Sequence, residues 1–241
     1  MADALALRGR MKLITTRGVI GIAVIVLWVP STTAAQAIPE EFEALPQTIP
    51  IFPLQDVTLF PNSTQPFHIF ESRYRDMVAD ALGSDSIIGM VLLQPGYESE
   101  YEGRPPIYGM GCAGVIIASE ELPDGRYNIV LEGLTKFQIL SEESDQTYRI
   151  AHVEAVSDGV PTSEHSLLPQ SREELEEVFR TAFPNAQLSS SDMSDAEVID
   201  GLSLVAPIEP TERQGLLEAD GPVQRASELA SLLRQRFRIA P

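Results

Sequence analysis

One cysteine, Cys112, serves all 241 residues. That excludes a disulfide within the chain, so packing alone must hold the fold. Cys112 sits in the apolar run GCAGVII, which points to a buried, inert thiol and away from a nucleophile. Three histidines, His68, His152 and His165, stand far apart, and no H-E-x-x-H or Cys/His cluster offers metal-ligand spacing. No G-x-S-x-G elbow marks a serine nucleophile. Positive charge is scarce as well: 17 Lys and Arg face 35 Asp and Glu, a net charge of −18. Such a field repels nucleic acid and anionic lipid, so neither is an expected ligand. Most glutamates cluster as solvated helix faces do (Glu173, Glu174, Glu176, Glu177), which leaves paired catalytic carboxylates unsupported.

What is present begins with a leader-like pattern. Arg8, Arg10, Lys12 and Arg17 precede the apolar run GVIGIAVIVLWVP (18–30), and Ala35-Gln36-Ala37 follows. A basic region, a short apolar core and an A-x-A ending predict a secretory signal peptide over 1–37 and export, to the periplasm of a bacterium. The apolar run falls short of the about 20 residues of a membrane span. The alternative is an uncleaved inner-membrane anchor over 18–30, and Met11 would serve equally as a start. Cleavage after Ala37 would leave 13 basic and 34 acidic residues, a net charge of −21, with Lys136 the single lysine.

Residues 38–48 read as a flexible mature N-terminus. From 49 to 158 the pattern is mostly β, with strands expected at Ile49–Phe52, Val57–Phe60, Gln65–Phe70, Ile87–Gln94, Tyr108–Ser119, Arg126–Glu132, Thr135–Leu140 and Tyr148–Val156. Pro123-Asp124-Gly125 signals a hairpin turn. One helix interrupts, capped by Ser72, with Tyr74, Met77, Val78 and Ala81 on one face. Residues 159–170 carry Gly, Pro and Ser and read as a linker. Over 171–238 the period turns helical. Capping boxes are expected at Ser171–Glu174, Ser194–Glu197 and Thr211–Gln214, and Val223, Ala226, Ala230, Leu233 and Phe237 form the stripe of a last helix. Strands first and helices second make the class α+β.

The order of these motifs resembles a known family. IPIFPLQDVTLFPNSTQPFHIFESRYRDMV (49–78) is similar to the opening of the Lon protease N-terminal, substrate-binding domain. There a Pro-Leu-x-Asp turn leads to a strand ending in an aromatic residue plus proline, and a Pro-Phe-x-Ile-Phe-Glu-x-Arg-Tyr segment (here 66–74) enters a helix. The likeness continues through Ile88–Leu93, Gly109–Ile117 and LPDGRYNIVLEGLTKFQI (122–139), and through PIEPTERQGLLEADGPVQRASELASLL (207–233). Lys136 departs from the pattern, where the family more often has arginine. The resemblance implies a PUA-like curved β-barrel over 49–158 with one interrupting helix, then a helical bundle. It also implies a role in holding polypeptide substrates for a protease. Neither a G-x-x-x-x-G-K-[ST] phosphate loop nor a Ser–Lys protease domain accompanies it, so a stand-alone, non-catalytic domain without cofactor or metal is expected.

Under that reading the partners are unfolded or extended polypeptides and a separate protease or chaperone, with membrane contact only if the leader is uncleaved. Candidate peptide contacts are Phe52, Leu54, Phe60 and Phe67 at the start of the barrel, with Met90 and Met110 as adaptable ones. Ordinary core residence is the competing reading for each. The alternative function is an accessory protease subunit or an exported hydrolase. A deep polar pocket uniting His68 or His152 with carboxylates would favour an enzyme. A shallow apolar groove beside an open strand edge would favour binding.

Overall fold

The computed structural model describes residues 45–97, 101, 103–143, 147–161, 164–188 and 192–240. The expected leader, 1–37, lies outside the described residues, as do 38–44 of the expected mature N-terminus. Six strands come first: β1 (Thr48–Leu54), β2 (Thr64–Ile69), β3 (Ile87–Leu92), β4 (Met110–Glu121), β5 (Tyr127–Glu142) and β6 (Arg149–Val156). Helix α1 (Ser72–Leu82) bridges β2 and β3, and α2 (Leu168–Ala182), α3 (Asp195–Val205), α4 (Pro210–Glu218) and α5 (Pro222–Phe237) follow. The strand order is β2-β5-β4-β3-β1-β6, and an additional β5–β6 pairing closes a barrel of β1, β3, β4, β5 and β6. Among the described strands only the β1–β3 pairing is parallel. The molecule is thus α+β, a small curved barrel followed by helices.

Prolines in β1 fit because pairing is staggered. Gln47 accepts a hydrogen bond from Val153 of β6, and Leu54 accepts one from Leu93 beyond β3. Odd residues of β1 therefore face β6 and even residues face β3. Pairing with β3 begins at Ile51, and pairing with β6 ends there. Pro50 faces β3 just before that ladder starts, and Pro53 faces β6 just after that ladder stops. Neither missing N–H leaves a gap.

Inside the barrel, Ile49, Ile51, Ile87, Val91, Ala113, Ala151 and Val153 surround Phe137. Its ring lies over two glycines: a Cβ at Gly89 or Gly111 would come within 2.8 or 2.7 Å of it. A second core joins the other face of the sheet to the helices, with Phe60, Met77, Leu131, Phe179, Leu229 and Leu233 among its buried members. Strands and helices therefore share a core. A buried ionic cluster fastens the same joint. Lys136 Nζ, on β5, donates to the Ala219 carbonyl at 2.6 Å and lies 2.8 Å from Asp158 Oδ1. Arg225, on α5, donates to Asp158 Oδ1 at 2.7 Å, to the Leu216 carbonyl at 3.0 Å and to Asp200 of α3, with its guanidinium 5.3 Å from the centre of the Phe60 ring. Asn62 completes the cluster by donating to Asp200 Oδ2 at 3.0 Å.

Several expectations shift. Val57–Phe60 is a loop, not a strand: Leu59 and Phe60 are buried as loop residues, and Ser63 Oγ donates to the Phe60 carbonyl at 2.7 Å to close the turn. The strands expected at 126–132 and 135–140 are one strand, β5, whose pairing with β4 skips Leu134 next to Gly133. Residues 45–48 are held, since Leu45 packs on the barrel interior and Thr48 begins β1. Helix α1 has Glu71 at its N-cap in place of Ser72, although its buried face is the expected Tyr74, Met77, Val78 and Ala81. The linker's last residues join α2, which starts at Leu168 with proline in its first turn, so Ser171 lies inside the helix. The Ser194–Glu197 box is present, whereas α4 is capped by Glu209 and Glu212. On α5 the buried stripe runs through Arg225, Ala226, Leu229, Ala230 and Leu233, while Phe237 is 40% exposed.

Candidate functional site

Strand β2 hangs on the first half of β5, and among the described residues its other edge has no partner strand. Pro66 pairs opposite Val130. A proline has no N–H for an antiparallel ladder bond, so its ring nitrogen must face outward, toward that edge. The edge therefore offers carbonyls and N–H groups at Thr64 and His68 but only a carbonyl at Pro66. It can take an extended chain at the cost of one rung, and the same proline discourages indiscriminate sheet growth.

The outer face of β2, β5 and β4 carries a matching depression of about 520 Å³. Two cross-strand rungs build it. One is apolar, Pro66–Val130–Ala118, and the other is polar, His68–Asn128–Glu120. His68 Nδ1 lies 2.8 Å from Asn128 Oδ1, and Asn128 donates to Glu120 at 3.1 Å. Arg126 Nη1 lies 3.1 Å from His68 Nε2 and is itself tied to Asp124, whose carboxyl it holds below the usual carboxylate range by hydrogen bonding. A register shift between Ile116 and Ala118 turns the extra residue, Ile117, outward, where it is 47% exposed. Phe70, just past β2, is 63% exposed and stacks 6.4 Å from His68. The result is a shallow, largely apolar surface beside an open edge.

The expected contacts divide. Phe52, Phe60 and Met90 lie in the core and present no face to a bound chain, because the interior of a small barrel and its helical joint consume the largest side chains first. Leu54, Phe67 and Met110 are partly exposed. Phe67 lies along the depression, but between Pro66 and His68 its side chain turns to the other face of the sheet and packs on the core, its ring centre 5.9 Å from that of Phe52. The Met110 carbonyl accepts from Gln214 at 3.1 Å. Pro66, Phe70, Ile117, Ala118 and Val130 were missed. Pro66 could have been found, since a proline inside a strand pattern signals an edge. Ile117 could not, because its exposure follows from a bulge that an apolar run hides.

Among the described residues the three histidines do not come together. His68, His152 and His165 are all exposed, His152 lying 2.9 Å from Thr48 Oγ1 and 3.6 Å from Glu143 and His165 lying 2.9 Å from the Val160 carbonyl. Among the described residues no group of three or more His, Cys, Asp or Glu could hold a metal ion. Burial pushes the Cys112 thiol far up, so the thiolate a nucleophile needs does not form. Lys136 is spent on the joint.

Comparison with known proteins agrees with this geometry. The sequence pattern of the ATP-dependent protease La (LON) substrate-binding domain matches residues 48–235. The chain is 28% identical to Lon protease of Flavobacterium johnsoniae over 194 residues, 77% of this chain and 24% of that protein. It is 25% identical to Lon protease of Trichlorobacter lovleyi over 210 residues, 84% of this chain and 26% of that one. The chain thus spans about a quarter of the length of these curated relatives. Among solved structures, a Lon N-terminal domain protein from Xanthomonas campestris superimposes with a TM-score of 0.54 at 26% identity, over 76% of this chain and 97% of that one. The N-terminal domain of a Mycobacterium avium complex Lon protease gives 0.56 over 80% and 100% at 15% identity, which speaks for the fold alone.

Proposed function

The chain belongs to the ATP-dependent protease La (Lon) substrate-binding domain family, and from that premise we propose that it is a non-catalytic receptor for unfolded or extended polypeptides. The matched region is the substrate-binding part of its relatives, not the catalytic part. The observation that carries the reading is the apolar outer face of β2, β5 and β4 beside an edge that can accept a strand. Main-chain hydrogen bonds to Thr64 and His68 would supply affinity, and Ile117, Val130 and Phe70 would select apolar side chains. The role extends to handing the bound chain to a separate protease or chaperone, and the leader pattern supports export to the periplasm.

The test is binding of a permanently unfolded, fluorescently labelled polypeptide to the full chain, followed by anisotropy. Replacing Ile117 or Phe70 by aspartate leaves the core untouched and is expected to weaken binding about tenfold, equivalent to about 1.4 kcal/mol. Circular dichroism should remain that of the parent. Unaltered affinity in both variants would remove this face from the proposal, and no binding at micromolar concentration would remove the function itself.

A further inference from the structure

A second concavity, of about 240 Å³, lies between the end of β1, the start of α1, residues 103–105 and the start of β6. Its composition contradicts that of the chain. In a protein of net charge −18, three arginines, Arg73, Arg104 and Arg149, line it together with Tyr74, Tyr101 and Tyr148, and among the described residues no carboxylate lines it. Acids stand behind two of the arginines. Glu71 accepts from Arg73 Nε at 3.0 Å, and Glu142 accepts from Arg149 Nε and Nη2 at 2.7 and 2.6 Å. Arg149 Nη1 donates to the Pro105 carbonyl at 2.8 Å, and Arg104 Nη1 donates to the Glu143 carbonyl at 2.6 Å.

Arg73 is held on several sides. Its guanidinium lies 4.6 Å from the centre of the Tyr74 ring and 4.8 Å from that of Tyr101. Glu71 and the Tyr101 carbonyl, the latter at 3.2 Å, engage Nε and Nη2. A guanidinium has five N–H donors, so Nη1 keeps two. An arginine already stripped of its rotamer freedom loses little entropy on gaining a ligand. Tyr101 Oη is itself fixed, donating to Glu71 at 2.9 Å, and Tyr148 Oη donates to Asp80 at 2.7 Å. Pro53 and Leu93 add apolar wall. A free inorganic anion would leave that wall and the tyrosine rings bare, whereas an apolar side chain bearing a carboxylate would cover them. The volume suits one residue.

We propose that this pocket binds a carboxylate carried on an amino-acid-sized apolar group, the form in which the C-terminal residue of a polypeptide presents it. The proposal rests on the polypeptide-binding reading for the source of the ligand but uses a site separate from the outer-face depression. It assigns recognition of a chain end to the arginine pocket and of an extended apolar segment to the β2 edge.

The experiment titrates the full chain with N-acetylphenylalanine, with its C-terminal amide, and with the α-amide of N-acetylglutamate, followed by calorimetry or ligand-observed NMR. N-acetylphenylalanine is expected to bind at least tenfold more tightly than its amide. Arg104→Gln, a change at an exposed side chain, should reduce that preference, and Arg73→Gln should abolish it. Tight binding of the glutamate amide keeps the carboxylate pocket and assigns its source to acidic side chains. Equal binding of acid and amide, or a preference unchanged in Arg104→Gln and Arg73→Gln, overturns the pocket. Because the probes are single residues, a negative result here leaves the outer-face reading standing. A positive probe result with no unfolded-chain binding does the reverse.

Discussion

Asp200 shows how one side chain can be tied to the whole joint. It is fully buried against Arg225 and Asn62, and burial pushes its carboxyl up to about 6 although Arg225 and the Asn62 hydrogen bond pull the other way. The folded value therefore lies above the ordinary carboxylate value of about 4. A raised folded value means the folded state binds the proton more tightly, so this group's contribution to stability is complete below about pH 4 and is lost as pH rises through about 6. Urea unfolding of the parent and of Asp200→Asn between pH 4 and 7.5 reads it directly. The parent's stability relative to the variant should be greater at pH 5 than at pH 7; a difference that is flat or grows with pH would mean that Arg225 holds Asp200 ionised throughout. Little of this was legible in the sequence. Arg225 stands among helix-forming residues with no local sign of burial, and its partners lie 25 and 67 residues away. Lys136, noted as a departure from the family pattern, proves to be half of the same fastening.

Elements taught a different lesson. Period and capping residues placed the strands and helices to within a few residues, apart from the two segments that merge into β5 and Val57–Phe60, whose apolar character comes from burial of a loop rather than from a ladder. The same loop explains Gly133. Asn62 N–H donates to the Gly133 carbonyl at 2.9 Å and Gly133 N–H to the Ser63 carbonyl at 2.8 Å, and a Cβ on Gly133 would sit 2.0 Å from the Phe60 carbonyl oxygen. Backbone meets backbone, so no side-chain rotation can relieve the clash. Gly133→Ala should cost about 3 kcal/mol, the upper end of overpacking penalties, seen as a lower urea midpoint with an unchanged slope. Gly215→Ala, where nothing lies within 4 Å of the added Cβ, is the matching control and should not destabilise. The β2 edge belongs to this scale too. Alternation and Pro66 could have marked β2 as an edge, but which strands would neighbour it, and hence which side chains share its outer face, are matters of pairing.

At the scale of the whole molecule, the proposed route outside the cytoplasm makes a concrete prediction. Protein recovered from the periplasm of an expressing bacterium should begin at Ile38 by N-terminal sequencing; recovery only with membranes, starting at Met1 or Met11, would replace export with anchoring over residues 18–30. The sequence by itself determined the class α+β, the order of strands and helices, and the family, because these depend on local period, turn chemistry and motif order along the chain. It also determined that no disulfide could help and that the surface would be strongly acidic. Tertiary structure alone decided which apolar residues would serve as surface and which as core. Phe60 and Ile117 both stand in apolar runs, yet one packs beneath Arg225 and the other is turned out to solvent at a bulge. It also gathered three of the few arginines around one pocket. The physical reason is the same in each case: burial and charge clustering are set by contacts between residues distant along the chain, and a barrel closed between its fifth strand and its sixth brings together positions that no local pattern connects.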